Sequence, residues 1–169
     1  MGAARAILDN LDKALRFEEV HAHCDIPCGI YDPHLAQVAA HTVLRMDMLI
    51  RDLKAPPGDD AVALADYYAK LARYTAVKEQ HAELAKHEVR IIWGDYGKPE
   101  NADAKTHELV WGIMKAASKA KQDTNIESAK DLLAKVEQFA EWFWKTKKVD
   151  TKRVKSFYPT EAEIVYPKV

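Results

Sequence analysis

The stretch AVALADYYAKLARYTAVKEQHAELAKHEVRIIW, residues 61–93, decides the fold class because it contains neither glycine nor proline. At about 1.5 Å per residue, it predicts a helix roughly 50 Å long, which is long for a globular protein. The preceding APPGDD, residues 55–60, breaks any helix at its prolines, and Asp59 or Asp60 can cap the next one. The segment GDYGKPEN, residues 94–101, ends the helix with two glycines and a proline.

Three further segments carry apolar residues at helical spacing. The first follows Pro33 and runs to Leu53, the second covers residues 107–121, and the third begins at Thr124 or Asn125 and runs to residue 148. No window before the tail alternates with the period of a strand. Four amphipathic segments joined by short breaks predict an all-α fold, an antiparallel four-helix bundle.

The two ends of the chain add to this bundle. In residues 1–22, apolar side chains recur at helical spacing and predict an additional N-terminal leader helix: Ile7, Leu8, Leu11 and Leu15. The tail, residues 149–169, contains FYPTEAEIVYPKV, whose prolines favour an extended arm on a neighbouring surface. We therefore divide the chain into a leader (1–22), a short segment that leads into the first bundle helix (23–33), the bundle (34–148) and the C-terminal arm (149–169).

Composition excludes several classes of function. The formal net charge of −1 offers no basic field for nucleic acid. No apolar run reaches the roughly 18 residues that a membrane span requires. The leader lacks the continuous apolar core of an export signal, which favours a cytoplasmic protein without excluding organelle targeting.

The stretch HAHCDIPCGIYDPH, residues 21–34, concentrates residues with metal-binding chemistry. It contains both cysteines of the chain, Cys24 and Cys28, with His21 and His23 just upstream. Thiolate and imidazole are ligands for zinc and for redox-active metals, so four such residues within eight positions indicate a metal site. A structural zinc site and a disulfide clip are the alternatives from the residues alone.

The same residues carry a family resemblance. HCDIPCGIYDP, residues 23–33, resembles the hook of the nickel superoxide dismutases, whose signature is His-Cys-x-x-Pro-Cys-Gly-x-Tyr. KEQHAELAKHEVRIIWGDYGKP, residues 78–99, and FWKTKK, residues 143–148, are similar to two further segments of that family. The resemblance implies a four-helix bundle, a homo-oligomer (usually a hexamer), and dismutation of superoxide to oxygen and hydrogen peroxide.

The resemblance also implies a ligand set. Nickel would be held by the thiolates of Cys24 and Cys28, the Cys24 amide and the free amino group of His23, whose imidazole is axial in the oxidised state. Tyr31 would stand beside the open face of the metal, with Tyr96 as its neighbour. The free amino group requires cleavage between Ala22 and His23.

The sequence departs from the family in the support of that imidazole. Ala39 occupies the position of a glutamate and His81 that of an arginine, while His21 adds an imidazole upstream. Copper(II) binds nitrogen ligands more tightly than nickel(II) does, so these changes favour copper, held by His21, His23 and His81, with nickel as the alternative. Cys24 and Cys28 then either join the metal or form a disulfide.

The resulting hypothesis is a metal-dependent superoxide dismutase with Tyr31 and Tyr96 beside the metal, assembled as a homo-tetramer or hexamer. A non-catalytic metal-binding bundle and a structural helical oligomer are the alternatives. Tyr31, Pro27 and Gly29 favour the enzyme, since metal storage does not need a guarded coordination face. The remaining histidines are expected to lie outside the site: His34 and His41, seven residues apart on one helix face, are the two that could support it, and His87 and His107 are expected on the surface.

Overall fold

A computed structural model describes residues 28–168 of the chain, which form four α-helices and a two-stranded sheet. The predicted leader helix, together with His21, His23 and Cys24, lies outside the described residues. The elements in chain order are α1 (His34–Asp52), α2 (Ala61–Ile91) with a π-helical turn (Ile92–Tyr96) at its end, α3 (Ala104–Gln122), α4 (Ile126–Thr146), β1 (Thr151–Lys155) and β2 (Glu163–Pro167).

The helices form the predicted bundle. Helix α1 packs against α2 and α4, and α3 packs against the same two helices, so that the four close around one core. The core is rich in alanine, which lets the helices approach closely, and its large apolar side chains come from all four helices: Val43, Val89, Ile113, Leu132, Phe139 and Phe143. The bundle is thus held by apolar burial.

Side-chain caps fix where the helices begin. Asp60 accepts hydrogen bonds from the backbone N–H groups of Val62 and Ala63 at the start of α2, as predicted. Asn125 caps α4 through the Glu127 N–H, and Asp103 caps α3 through Thr106. Each cap satisfies helix N–H groups that have no intrahelical partner.

A buried ion pair ties α1 to α2. The Lys78 ammonium donates to Asp47 Oδ1 at 3.0 Å, and both side chains are almost completely excluded from solvent. Lys78 also donates to the carbonyl of Asp123, in the connection between α3 and α4. One cation therefore joins three parts of the bundle.

The tail is extended, as predicted, but its pairing was not predicted. β1 and β2 form an antiparallel hairpin, in register from Thr151 opposite Pro167 to Lys155 opposite Glu163. The hairpin lies on this chain's own α1 and α4. Gln37 of α1 binds both backbone groups of Val165, accepting its N–H at 2.8 Å and donating to its carbonyl at 3.0 Å.

Arg153 fastens the other strand of the hairpin to α4. Its guanidinium donates to Glu137 Oε2 and to Glu141 Oε1, each at 2.7 Å.

Within residues 28–168, no helix combines the length and the apolar character needed to cross a bilayer.

Candidate metal centre

The described part of the hook is a tight turn that leads into α1. Cys28 is exposed, and its Sγ accepts the N–H of Ile30 at 3.4 Å. Gly29 has φ +74°, a left-handed conformation that favours glycine. Asp32 Oδ1 accepts the N–H of His34 at 2.8 Å, so the turn is joined to the first turn of α1. This backbone conformation explains why the Pro-Cys-Gly-x-Tyr motif has a glycine at position 29.

Tyr31 and Tyr96, the two predicted tyrosines, are in contact. Their ring centroids are 5.6 Å apart and the ring planes are tilted by 48°. Tyr96 lies in the π-helical turn at the end of α2, and its hydroxyl is hydrogen-bonded to Thr146 Oγ1 at 2.7 Å. Its ring also packs on Phe143, with the centroids 5.2 Å apart. The hook end is thereby packed against the C-terminal end of α4.

Beside the tyrosines is a cavity of about 240 Å³ with two basic side chains in its wall. Lys98 comes from the segment after the π-helical turn, and Lys147 follows α4. The Lys147 ammonium lies 4.5 Å from the centroid of the Tyr96 ring, a cation–π contact that holds the charge near the cavity. Asp95 and Asn101 complete the polar part of the wall. The lining therefore offers two cations to a small anion.

His81, the predicted third copper ligand, is partly buried on α2. Its Nδ1 is hydrogen-bonded to the Val77 carbonyl at 2.8 Å, one turn earlier on the same helix. In the part of the chain that the structure describes, no three side chains of histidine, cysteine, aspartate or glutamate are grouped so as to hold a metal ion. Ala39, at the position where the family resemblance implies a glutamate, is fully buried in the core. His21, His23 and Cys24 lie outside the described residues, so their predicted ligation stays a prediction.

His34 and His41 both contact the hairpin. The His34 ring lies 5.8 Å from that of Tyr166. His41 Nδ1 is 2.9 Å from Thr160 Oγ1, and its Nε2 is 3.0 Å from the Glu163 carbonyl, so both ring nitrogens are occupied. Burial lowers the pKa of His41, and His34 lowers it further, although the hydrogen bond to Glu163 acts in the opposite sense. Neutral His41 therefore serves to dock the hairpin.

Two outcomes concern the remaining side chains. His87 and His107 are exposed, as predicted, and His107 accepts the indole N–H of Trp93 at 2.9 Å. Lys98 and Lys147 were not singled out from the sequence. Both lie in segments that carried the family resemblance, GDYGKP and FWKTKK, so the signal was present in the motifs.

Comparisons with known proteins agree with this geometry. Residues 18–147 match the family model described as nickel-containing superoxide dismutase. The chain is 36% identical over 132 residues to the superoxide dismutase [Ni] of Streptomyces seoulensis, covering 77% of this chain and 92% of that protein. It is 37% identical over 131 residues to the superoxide dismutase [Ni] of Streptomyces coelicolor, covering 76% and 91% of the two chains.

Solved structures show the same similarity. The native nickel superoxide dismutase structure at 1.30 Å superposes with a TM-score of 0.63 and 35% identity, covering 74% of this chain and 99% of that one. A structure whose nickel ligation corresponds to the oxidised state gives a TM-score of 0.63 and 36% identity, covering 75% and 99%. The family match ends at residue 147, before the hairpin.

Proposed function

The chain belongs to the nickel-containing superoxide dismutase family and is a superoxide dismutase, and we propose that its redox ion is nickel. The proposed ligands are the thiolates of Cys24 and Cys28 with nitrogen donors of His23. Cys28 is exposed at the end of the hook turn, where a metal can reach it. The contact of Tyr31 with Tyr96 beside this turn is the observation that carries the proposal.

We propose nickel and not copper because the copper hypothesis rested only on the presence of His21, His23 and His81. The copper hypothesis drew its third ligand from His81, whose Nδ1 is bound to the Val77 carbonyl and which belongs to no ligand cluster within residues 28–168. The curated relatives are named as nickel enzymes, and none of the comparisons supports copper. Two thiolates within five positions also suit a metal that needs soft donors.

In this mechanism, the protein attracts the anion and limits its approach. When bound, nickel supplies a one-electron couple, so that one superoxide is oxidised to oxygen and a second, with two protons, is reduced to hydrogen peroxide. Lys98 and Lys147 raise the local concentration of the anion at the cavity mouth. The Tyr31 and Tyr96 rings, with Gly29 of the hook turn, line a cavity that suits a diatomic anion and a few waters.

The decisive experiment combines metal analysis with a superoxide assay. We expect purified protein to bind one nickel per chain and to turn over superoxide, and Cys24→Ser with Cys28→Ser to abolish both while the helical circular dichroism is kept. The matched control is His81→Ala, which should keep nickel and activity. Turnover that persists with copper in the cysteine variant, but is lost in His81→Ala, would contradict the proposal. Intact mass would also report cleavage before His23.

We also propose that the enzyme is a homo-oligomer, a tetramer or hexamer. Val62 and Tyr68 project from the first half of α2 with relative exposures of 79% and 61%. Exposed alanines accompany them on this helix: Ala61, Ala65, Ala69, Ala72 and Ala76. Such a surface suits the close approach of a second copy. Native mass spectrometry should give four or six chains, and Ala69→Arg should lower that number, whereas a monomer in the unmodified protein would refute the proposal.

A further inference from the structure

The turn of the C-terminal hairpin presents an aromatic ring entirely to solvent. Phe157, between β1 and β2, has a relative exposure of 106%, higher than any other large apolar side chain in the described residues. Isolated exposed apolar residues are common, but a phenyl ring without any covering contact exposes its whole apolar area to water.

The exposure of Phe157 does not come from a loosely held turn. The two residues that flank Phe157 in the sequence are both hydrogen-bonded within the turn. The Ser156 N–H donates to the Ala162 carbonyl at 2.9 Å, and the Tyr158 carbonyl accepts the Glu161 N–H at 2.9 Å. Tyr158 packs edge-on against His41 at 5.0 Å between the ring centroids. The turn is therefore anchored to α1 while Phe157 is directed outward.

A cavity able to receive such a ring lies beside it. It has a volume of about 290 Å³ between α1 and the turn, and its wall is largely apolar, with Val38, Met46 and Pro159 among the lining residues. A cavity of about 150 Å³ is already sufficient for a benzene ring. Phe157 is not among the residues that line this cavity.

Charge is complementary around these two features. Arg45 lies in the cavity wall and forms no ion pair with any side chain of residues 28–168. Glu161, in the same turn as Phe157, is exposed, and within residues 28–168 its carboxylate forms an ion pair with Lys155 alone, at 3.3 Å. The Phe157 ring, with the Glu161 carboxylate in the same turn, is therefore complementary to an apolar cavity whose wall contains the Arg45 guanidinium.

From this arrangement we propose that the hairpin turn is a self-association surface, in which Phe157 of one copy occupies the cavity of a second copy. Phe157 belongs to the same turn as Tyr158, Pro159 and Thr160, which line the cavity, so each copy can insert its own ring and receive the ring of the other, and a twofold axis repeats the contact with the roles exchanged. Phe157 and the turn residues of the cavity lie after residue 147, where the family match ends, whereas the α1 residues of the cavity lie within that match. The proposed contact depends neither on the metal nor on turnover.

Photo-crosslinking of the full-length protein tests the proposal directly. The variant Phe157→p-benzoylphenylalanine is prepared as an equal mixture of nitrogen-15-labelled and unlabelled chains, irradiated, and its crosslinked peptides are sequenced. We expect mixed-isotope crosslinks from position 157 to residues 38–46 of the other copy. Crosslinks within one chain, including crosslinks to residues 1–22, or the absence of crosslinks, would overturn the proposal.

A substitution measures the strength of the contact. Phe157→Ser should weaken self-association through this surface by roughly tenfold or more in a dilution series followed by sedimentation velocity, because a fully buried aromatic anchor is lost. Val38→Glu should have the same effect from the cavity side. The matched control is Trp111→Ser, which removes an exposed aromatic side chain on α3, outside the turn and the cavity, and should leave the strength of self-association unchanged. Unchanged association in both Phe157→Ser and Val38→Glu would refute the assignment.

Discussion

Lys147 is the single side chain whose charge bears most directly on substrate capture. Its ammonium is held over the Tyr96 ring at 4.5 Å from the centroid and lines the cavity beside Tyr31. Removing this cation in Lys147→Met should lower kcat/KM for superoxide by about 2- to 10-fold at low ionic strength, because capture of a small anion is steered by local charge. Pulse radiolysis over a series of salt concentrations measures the effect.

A remote lysine provides the control for Lys147. Lys152→Met removes the same charge from an exposed position on β1 and should leave kcat/KM within experimental error. The difference between the two variants should shrink as salt is added, since exposed charges are screened over roughly 10 Å at 0.1 M salt. A loss of equal size in both variants would show that net charge, and not the position of Lys147, governs capture.

The Asp47–Lys78 pair is the residue-scale feature on which bundle stability depends most sharply. Asp47 Oδ2 accepts no hydrogen bond within residues 28–168, and burial raises the pKa of this carboxyl while Lys78 lowers it. Lys78→Met would leave Asp47 buried without its counter-ion, which should lower the free energy of unfolding by about 3–5 kcal/mol. Urea unfolding monitored by circular dichroism measures this loss.

The double variant distinguishes the pair from simple loss of packing. Asp47→Leu combined with Lys78→Met removes both charges together, so it should recover most of the stability lost in Lys78→Met alone. The Asp123 carbonyl would still lose a donor, which leaves a residual cost of about 1–3 kcal/mol. A double variant less stable than Lys78→Met would contradict this account.

At the scale of elements, the docking of the hairpin depends on the protonation state of His41. Burial lowers the pKa of His41 in the folded chain, so the unfolded chain binds a proton more readily than the folded one. The stabilising contribution is therefore fully present above the unfolded pKa of about 6.5 and is lost as the pH falls from there towards the folded pKa. Urea unfolding at pH 7.5 and 5.5 should show the lower stability at pH 5.5.

Replacing His41 isolates its share of this pH dependence. His41→Gln keeps a polar side chain facing Thr160 and the Glu163 carbonyl but cannot titrate. The stability difference between pH 7.5 and 5.5 should therefore become smaller in His41→Gln than in the unmodified chain. An unchanged difference would assign the effect to other groups.

The helices were predictable because their signals are local. Apolar spacing, the prolines before Asp60 and the capping side chains of Asp60 and Asn125 all lie within one or two turns of the structure they specify. The docking of the hairpin on α1 was not predictable in the same way, because Gln37 and Val165, which form the docking hydrogen bonds, are separated by 128 positions in the sequence. Pro159 and Pro167, which suggested an unpaired arm, occupy the turn and the last position of β2.

In the candidate site, too, some features were predictable from the sequence and others depended on contacts between distant residues. The contact between Tyr31 and Tyr96 was predicted from motif resemblance, since each tyrosine belongs to a separate family segment. Chemistry inferred from residue type alone was less reliable. Histidine content favoured copper with His81 as a ligand, but the Nδ1 of His81 is hydrogen-bonded to the Val77 carbonyl. Residue identity gives the possible chemistry, and only tertiary placement decides which of it is used.

The whole molecule consists of a family bundle with an added hairpin, and these two parts should be separable. Residues 18–147 match the family, whereas the hairpin contributes buried Ile164 and Val165, which lie outside the main apolar cluster of the bundle. Ending the chain after Val149 removes those two side chains, and should lower the free energy of unfolding by about 3–6 kcal/mol.

The truncated chain should nevertheless keep its metal content and its superoxide turnover per folded molecule, because Tyr31 packs on Tyr96, and Tyr96 and Lys147 make their contacts with each other and with α4 and not with the hairpin. Differential scanning calorimetry gives the loss in stability, and a superoxide assay well below the melting temperature gives the turnover. Replacing Ile164 with Ala in the full chain is the graded control, since it weakens docking without removing the strands. Loss of turnover in a truncated protein that remains folded would mean that the hairpin supports the metal centre through α1, and the separation into two parts would be wrong.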